Sequence, residues 1–294
     1  MLEVELSNLR LRNPIMLASG ILGSHAGSLN RIAEHAGAVV TKSVGLEGRE
    51  GYKNPCVISW ECGILNAVGL ASPPAKEFAR ELKMFNGACP LIVSFFGSNP
   101  EEFAELVKIF DFANAFELNL SCPHAKGLGL EIGRDFDLVY EIIRAVKRNT
   151  DKPVFAKVSA NLDYVELAKV CESAKADGIV AINTVRGMAI DIVSKRPILS
   201  NVSGGVSGKA IKPIALKCVW DIYEEVSIPV IGCGGISNWK DVVEFALAGA
   251  RAVQIGSAFY YSYDVIKNIL EGLESYLRIN GVSFDELVGL AHKR

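Results

Sequence analysis

One unit recurs along this chain: a short apolar run, a polar or glycine-rich loop, then a segment whose apolar residues fall at helical spacing. The runs occupy residues 14–19, 38–43, 90–96, 115–122, 153–159, 178–184, 229–234 and 252–258, eight in all. They are apolar almost throughout rather than at alternate positions. That predicts strands buried on both faces, hence a parallel sheet wrapped by helices. Within 100–112, Phe103, Leu106, Val107 and Phe110 repeat at helical spacing behind the cap-like pair Ser98-Asn99. Segments 135–149, 164–174, 214–226 and 241–248 behave likewise. Several runs open with Pro (CPLIV, KPVFAKV, IPVIGCGG) or follow Ala-Gly-Ala (AGAVVTK, AGARAVQIG), natural ends to a preceding helix. Eight such units in 294 residues favour an α/β fold of the closed (β/α)8 kind over an open doubly wound sheet.

The opening dozen residues alternate apolar and polar and read as a β-hairpin turning near Ser7-Asn8. Connections 44–74 and 185–213 are too long for simple loops. Both leave strand C-termini, where such barrels carry their chemistry, and long βα loops over that face are expected to be functional or lid-like. No linker or low-complexity stretch interrupts the pattern, so a single domain over 1–294 is expected.

Composition closes off other classes. Lys and Arg total 31 against 33 Asp and Glu, a formal charge of -2 with no basic stripe, which argues against nucleic acid or anionic membrane as partners. No apolar run nears the roughly 18 residues of a membrane span. The N-terminal MLEVELSNLRLRNP lacks a basic-then-apolar signal pattern, so a soluble cytoplasmic protein without a membrane anchor is expected. Seven cysteines, an odd number with no CxxC pair, suggest neither a disulfide framework nor a metal site. Most read as small core residues. Electron transfer through a metal cluster would need another chain.

Polar residues gather where the apolar runs end. Strand one ends Ala18-Ser19-Gly20, strand two Thr41-Lys42-Ser43, strand three near Ser94, and strand four at Asn119 and Cys122. Strand five gives Lys157, strand six Asn183-Thr184, and the last two Gly232-Cys233-Gly234-Gly235 and Gly256-Ser257. Glycines after strands seven and eight allow close backbone approach, and exposed N–H groups there suit a phosphate. Ser207-Gly208 could add a third set. Each glycine pair alone favours a tight turn; both in the expected place favour the phosphate.

Lys42 or Lys157 alone is as readily a solvated rim charge as a functional group. Together they suit an anionic ring system, such as a reduced flavin or a carboxylated substrate. Lys157 by itself could instead form a Schiff base. Asn119 and Asn183 both donate and accept, which fits the edge of a heterocycle carrying C=O and N–H groups. A free thiol titrates near 8.5, so Cys122 could serve as base for a carbon acid. His124 is the alternative base, and Cys233 reads as filler.

At these residues the chain resembles the class 1 dihydroorotate dehydrogenases over nearly its whole length. The matching motifs are ASG (18–20), TKS (41–43), NAVGL (66–70), ELNLSCP (117–123), FAKVS (155–159), INT (182–184), GGVSG (204–208), GCGGI (232–236) and QIGSA (254–258). The resemblance implies one FMN-binding TIM-barrel domain that oxidises dihydroorotate to orotate in pyrimidine synthesis. Cys122 would take the C5 proton while the C6 hydride passes to flavin N5. Asn66, Ala67, Val68, Gly69 and Leu70, with Lys42, Asn119, Asn183 and Thr184, would hold the substrate. Ser19, Lys42, Ser43, Ser94, Asn119, Lys157 and Ile182 would line FMN, and Gly208, Gly234, Gly235, Gly256 and Ser257 would meet its phosphate.

Three departures from the family pattern stand out. His124 replaces a usual substrate-binding Asn, Ser94 replaces a usual flavin-contacting Asn, and 71–74 (ASPP) ends the substrate loop differently. Cys rather than Ser at the base position separates this chain from the membrane-bound class. Residues 187–191 (GMAID) resemble the 1B subgroup. That implies a homodimer joined, as a heterotetramer, by a partner subunit carrying FAD and a 2Fe–2S cluster that passes electrons to NAD. A 1A-like enzyme reducing fumarate without a partner is the runner-up. From other classes, a Schiff-base phosphosugar aldolase would use Lys157 but give Cys122 and Asn66 no role. A silent binding module would be expected to have lost Cys122 or Lys42.

Overall fold

The computed structural model of the chain describes residues 1–120 and 132–293. All eight apolar runs become parallel strands, joined in chain order into a closed barrel. They are β1 (Ile15–Leu17), β2 (Ala38–Val40), β3 (Leu91–Phe95), β4 (Ala115–Asn119), β5 (Val154–Val158), β6 (Gly178–Ala181), β7 (Val230–Cys233) and β8 (Ala250–Ile255). β3, β4 and β5 are buried at every residue, which is why they show no polar alternation. The barrel is therefore the fold predicted from the repeat.

Helices α1 (Ala26–Ala33), α2 (Ala75–Leu82), α3 (Pro100–Ile109), α4 (Phe136–Lys147), α5 (Tyr164–Ser173), α6 (Lys212–Glu225), α7 (Trp239–Leu247) and α8 (Val265–Asn280) form the outer layer. α3 starts as its sequence predicts: Asn99 accepts the Glu102 N–H at 3.0 Å, and Pro100 occupies a position whose N–H would go unused. Its apolar face packs on the barrel through Phe110, whose ring lies 5.5 Å from Phe95, itself stacked on Phe116 at 5.3 Å. β8 begins at Ala250, earlier than the run at 252 suggests, because Gly249 at φ 114° ends the preceding helical turn and starts the strand at once.

The N-terminal hairpin pairs Val4–Leu6 with Leu9–Leu11 around Ser7 at φ 57° and buries Val4, Leu6, Leu9 and Leu11 in the main core. The two long connections carry short strands of their own. Val57–Trp60 and Gly63–Asn66 from the first join Val185–Gly187 and Gly204–Ser207 from the second in one antiparallel sheet. This sheet has its own small core of Leu65, Ala67 and Leu199. It covers the C-terminal face of the barrel. Among the described residues, no helix is long and apolar enough to cross a membrane.

Candidate active site

The strand ends and the covering sheet enclose a cavity of about 390 Å³. Its walls alternate apolar surface (Ala18, Ile21, Val57, Ile64, Ile182, Ile211) with convergent polar groups. A larger, more open cleft of about 570 Å³ lies where the chain enters β3, lined by Leu82, Phe85, Cys89 and Phe112. It gathers no comparable set of donors, so the barrel cavity is where chemistry is built.

On one side runs a chain of hydroxyls and amides. Ser43 Oγ lies 3.2 Å from Ser19 Oγ and 2.8 Å from Ser94 Oγ. Asn119 donates its amide to Ser43 Oγ at 3.2 Å, and Asn183 donates to Asn119 Oδ1 at 3.1 Å. The Thr184 N–H in turn donates to Asn183 Oδ1 at 2.8 Å. The two asparagines thus orient each other across the ends of β4 and β6.

The floor carries a buried ionic cluster. Glu117 precedes Asn119 by two residues on β4 and so faces the same way. Its Oε1 meets Lys157 Nζ at 3.5 Å, and its Oε2 accepts from Gln254 Nε2 at 2.6 Å. Lys157 Nζ donates also to Gln254 Oε1 at 3.0 Å, closing a triangle of β4, β5 and β8 side chains. Lys157 is no rim charge: it is 5 % exposed, and Glu117 is fully buried. Burial works against its charge, but the Cys233 sulfur and the Glu117 carboxylate more than offset it, and its pKa lies above the usual lysine value. Burial pushes the Cys233 thiol up, against the pull of Lys157.

At the other end, Gly208, Gly234, Gly235, Gly256 and Ser257 line the same cavity. Gly235 sits at φ 74°, where an added Cβ would lie 2.9 Å from the Gly208 carbonyl oxygen and 2.7 Å from Lys212 Cβ. Only glycine lets these backbones come this close.

The sequence model of the dihydroorotate dehydrogenase family matches residues 1–277. This chain belongs to that family. It is 57% identical over 295 residues to the catalytic subunit of dihydroorotate dehydrogenase B (NAD(+)) from Archaeoglobus fulgidus, covering 99% of each chain. It is 51% identical over 297 residues to the protein of that name from Pyrococcus furiosus, again covering 99% of each. With that from Methanocaldococcus jannaschii the identity is 46% over 302 residues, 100% of this chain and 99% of the other.

Within this family member, most of the residues singled out from sequence meet at one place. Ser19, Lys42, Ser43, Asn66, Val68, Gly69, Leu70, Asn119, Lys157, Ile182, Asn183 and Thr184 line the cavity together with the glycine end. Two do not. Ala67 is fully buried in the small core of the covering sheet, because alternate residues of that segment face opposite ways. Ser94 lies one hydrogen bond behind Ser43 and is fully buried. Cys122 and His124 lie outside the described residues.

Sequence reasoning missed Glu117 and Gln254 and gave no role to Val57 and Tyr260, which also line or underlie the cavity. The signal for the first two was present: an acid and an amide inside otherwise apolar strands, where such groups persist only when paired. Tyr260 left no such signal. Its hydroxyl reaches Ser59 of the covering sheet at 3.4 Å, a contact between residues distant in sequence. Cys233, read as filler, lines the cavity.

Proposed function

We propose that this chain is the catalytic subunit of an NAD-linked dihydroorotate dehydrogenase, oxidising dihydroorotate to orotate with bound FMN in the cytoplasm as a single domain. The observation that carries the reading is the convergence of Lys42, Asn119, Lys157 and Asn183 from four different strand ends on one cavity whose far end is glycine. Near-complete coverage of relatives named dihydroorotate dehydrogenase B (NAD(+)) catalytic subunit supports it.

The donor set fits FMN. Apolar Ala18, Ile182 and Ile211 suit the faces of a flat ring, and the floor amides and ammonium suit its polar edge. Gly208, Gly234, Gly235, Gly256 and Ser257 would hold the phosphate through backbone N–H groups. Bound FMN would supply the acceptor for the hydride that leaves C6 of the substrate.

The protein's residues do the rest. Asn66, Asn119, Asn183 and Thr184 would hold the pyrimidine edge, and Lys42 the substrate carboxylate. Val68, Gly69 and Leu70, in the turn that follows Gly63–Asn66, would close over the substrate and exclude water. The Cys122 thiolate would accept the C5 proton, leaving the electron pair of that C–H bond to form the C5–C6 double bond of orotate. Lys157 would hold the ring edge as a cation. A Schiff-base aldolase needs a neutral lysine nucleophile, whereas Lys157 is paired with a carboxylate and its pKa is raised.

Electrons would leave through a partner subunit carrying FAD and a 2Fe–2S cluster, with this chain as a homodimer at the centre of a heterotetramer. Among the described residues no group of His, Cys, Asp and Glu could hold a metal ion. The test supplies dihydroorotate to the FMN-loaded chain and offers acceptors in turn. NAD reduction that depends on an added iron–sulfur flavoprotein supports the reading. Direct turnover with fumarate would replace the NAD-linked assignment with a partner-free one.

A further inference from the structure

Glu117 lies beneath the cavity lining, behind Lys157 and Gln254, where it is fully buried and both of its oxygens are engaged. Oε1 takes Lys157 and, at 3.5 Å, the Ser94 hydroxyl; Oε2 takes Gln254. A buried carboxylate is costly unless it is paired, and replacing such a cluster with apolar side chains is often neutral for stability. Its geometry is directional as well. By accepting from Gln254 Nε2, Glu117 fixes that amide so that Oε1 faces Lys157 Nζ at 3.0 Å. The carboxylate thereby sets the ammonium twice, once directly and once through Gln254.

We propose that Glu117 is a positioning residue for the cofactor: through Gln254 and by direct contact it holds Lys157 as a fixed cation under the polar edge of FMN. This rests on the FMN reading above. Its consequence is that FMN affinity stays insensitive to alkaline pH, because the lysine keeps its proton. Facing Lys157 are Glu117 from β4, Cys233 from β7 and Gln254 from β8. β6, on the other side of β5, brings no titratable side chain. Lys42 and Tyr260 share the cavity, and Cys122 lies outside the described residues. The raised pKa of Lys157 agrees with the geometry.

The test is FMN binding to the full chain, followed by quenching of flavin fluorescence between about pH 7 and 9.5. Wild type is expected to hold FMN with little change across that range. In Glu117→Gln, an isosteric amide removes the carboxylate, leaving Cys233 alone to oppose burial, so the lysine pKa falls toward the range. Its FMN Kd should rise about tenfold or more through an inflection as the proton is lost. Lys157→Met should bind weakly at every pH, with no inflection. A Glu117→Gln variant with the wild-type Kd and the same flat profile would overturn the proposal.

Should Glu117→Gln fail to fold, the double variant Glu117→Gln/Lys157→Met removes both charges and restores a neutral core. It is expected to fold and to bind FMN as weakly as Lys157→Met at all pH values. Wild-type affinity in the double variant would also overturn the proposal. Wild type that binds no FMN would instead overturn the FMN reading and this inference with it, before any substitution is made.

Discussion

Asn183 donates its side-chain amide to Asn119 Oδ1 at 3.1 Å, tying the end of β6 to the end of β4. The bond leaves Asn119 one orientation, with its own amide on Ser43 Oγ. Asn183→Ala frees that amide to rotate and removes a group proposed to hold the substrate ring. The expected result is a KM for dihydroorotate raised about tenfold or more, from loss of one or two hydrogen bonds. FMN content should be unchanged. Steady-state kinetics beside an absorbance count of bound flavin check both halves.

The glycine end of the cavity admits a sharper test. At Gly235, alanine would bear a left-handed backbone and press its methyl on Lys212 and the Gly208 carbonyl. Strain of roughly 1–3 kcal/mol at such a position displaces one of these backbones. Gly235→Ala is expected to keep the far-ultraviolet circular dichroism of the wild type while losing most of its FMN affinity, read by equilibrium dialysis. Unaltered affinity would mean that the phosphate is held elsewhere.

The repeat of apolar runs made the barrel legible, because each strand is buried on both faces and carries no competing signal. β3 to β5 are the plainest examples. The covering sheet was not legible. Gly204–Ser207 is half glycine, and Val57–Trp60 is largely exposed, so neither has the pattern of a core strand. The pairing of Gly204–Ser207 with Gly63–Asn66 joins chain segments about 140 residues apart (Gly205 with Asn66), which no local signal encodes. The same applies to the site. Lys157 and Asn119 were readable as polar residues at strand ends. That Lys157 sits between Glu117 and Gln254 depends on where β4, β5 and β8 stand around the barrel.

Four of the six described cysteines are buried, and burial pushes the Cys89 thiol up to about 11 and that of Cys171 up to about 12. The thiolate is the reactive form, so both stay unreactive not only at neutral pH but at pH near 9. Among the described cysteines, maleimide labelling of the native chain followed by peptide mass mapping should modify exposed Cys62 first, with half-buried Cys56 slower. Cys89 and Cys171 should label only after denaturation.

Cys122 carries the proposed proton transfer. Cys122→Ala is expected to bind FMN normally and to lose about 10²–10⁴-fold in the rate of substrate oxidation near neutral pH. Because the thiolate is the base, the wild-type rate should rise with pH through the thiol ionisation, and the variant should lack that rise. Stopped-flow flavin reduction over a pH series measures it. An unchanged rate in the variant would move the base to another residue.

The most direct test of the central claim is a single anaerobic turnover of the FMN-loaded chain alone. Dihydroorotate is added in excess, flavin absorbance is followed, and orotate is counted after quenching. The account predicts bleaching of the flavin and one orotate formed per FMN, with no second turnover until an acceptor is added. A fully loaded chain that stays yellow, or that bleaches without forming orotate, would contradict it.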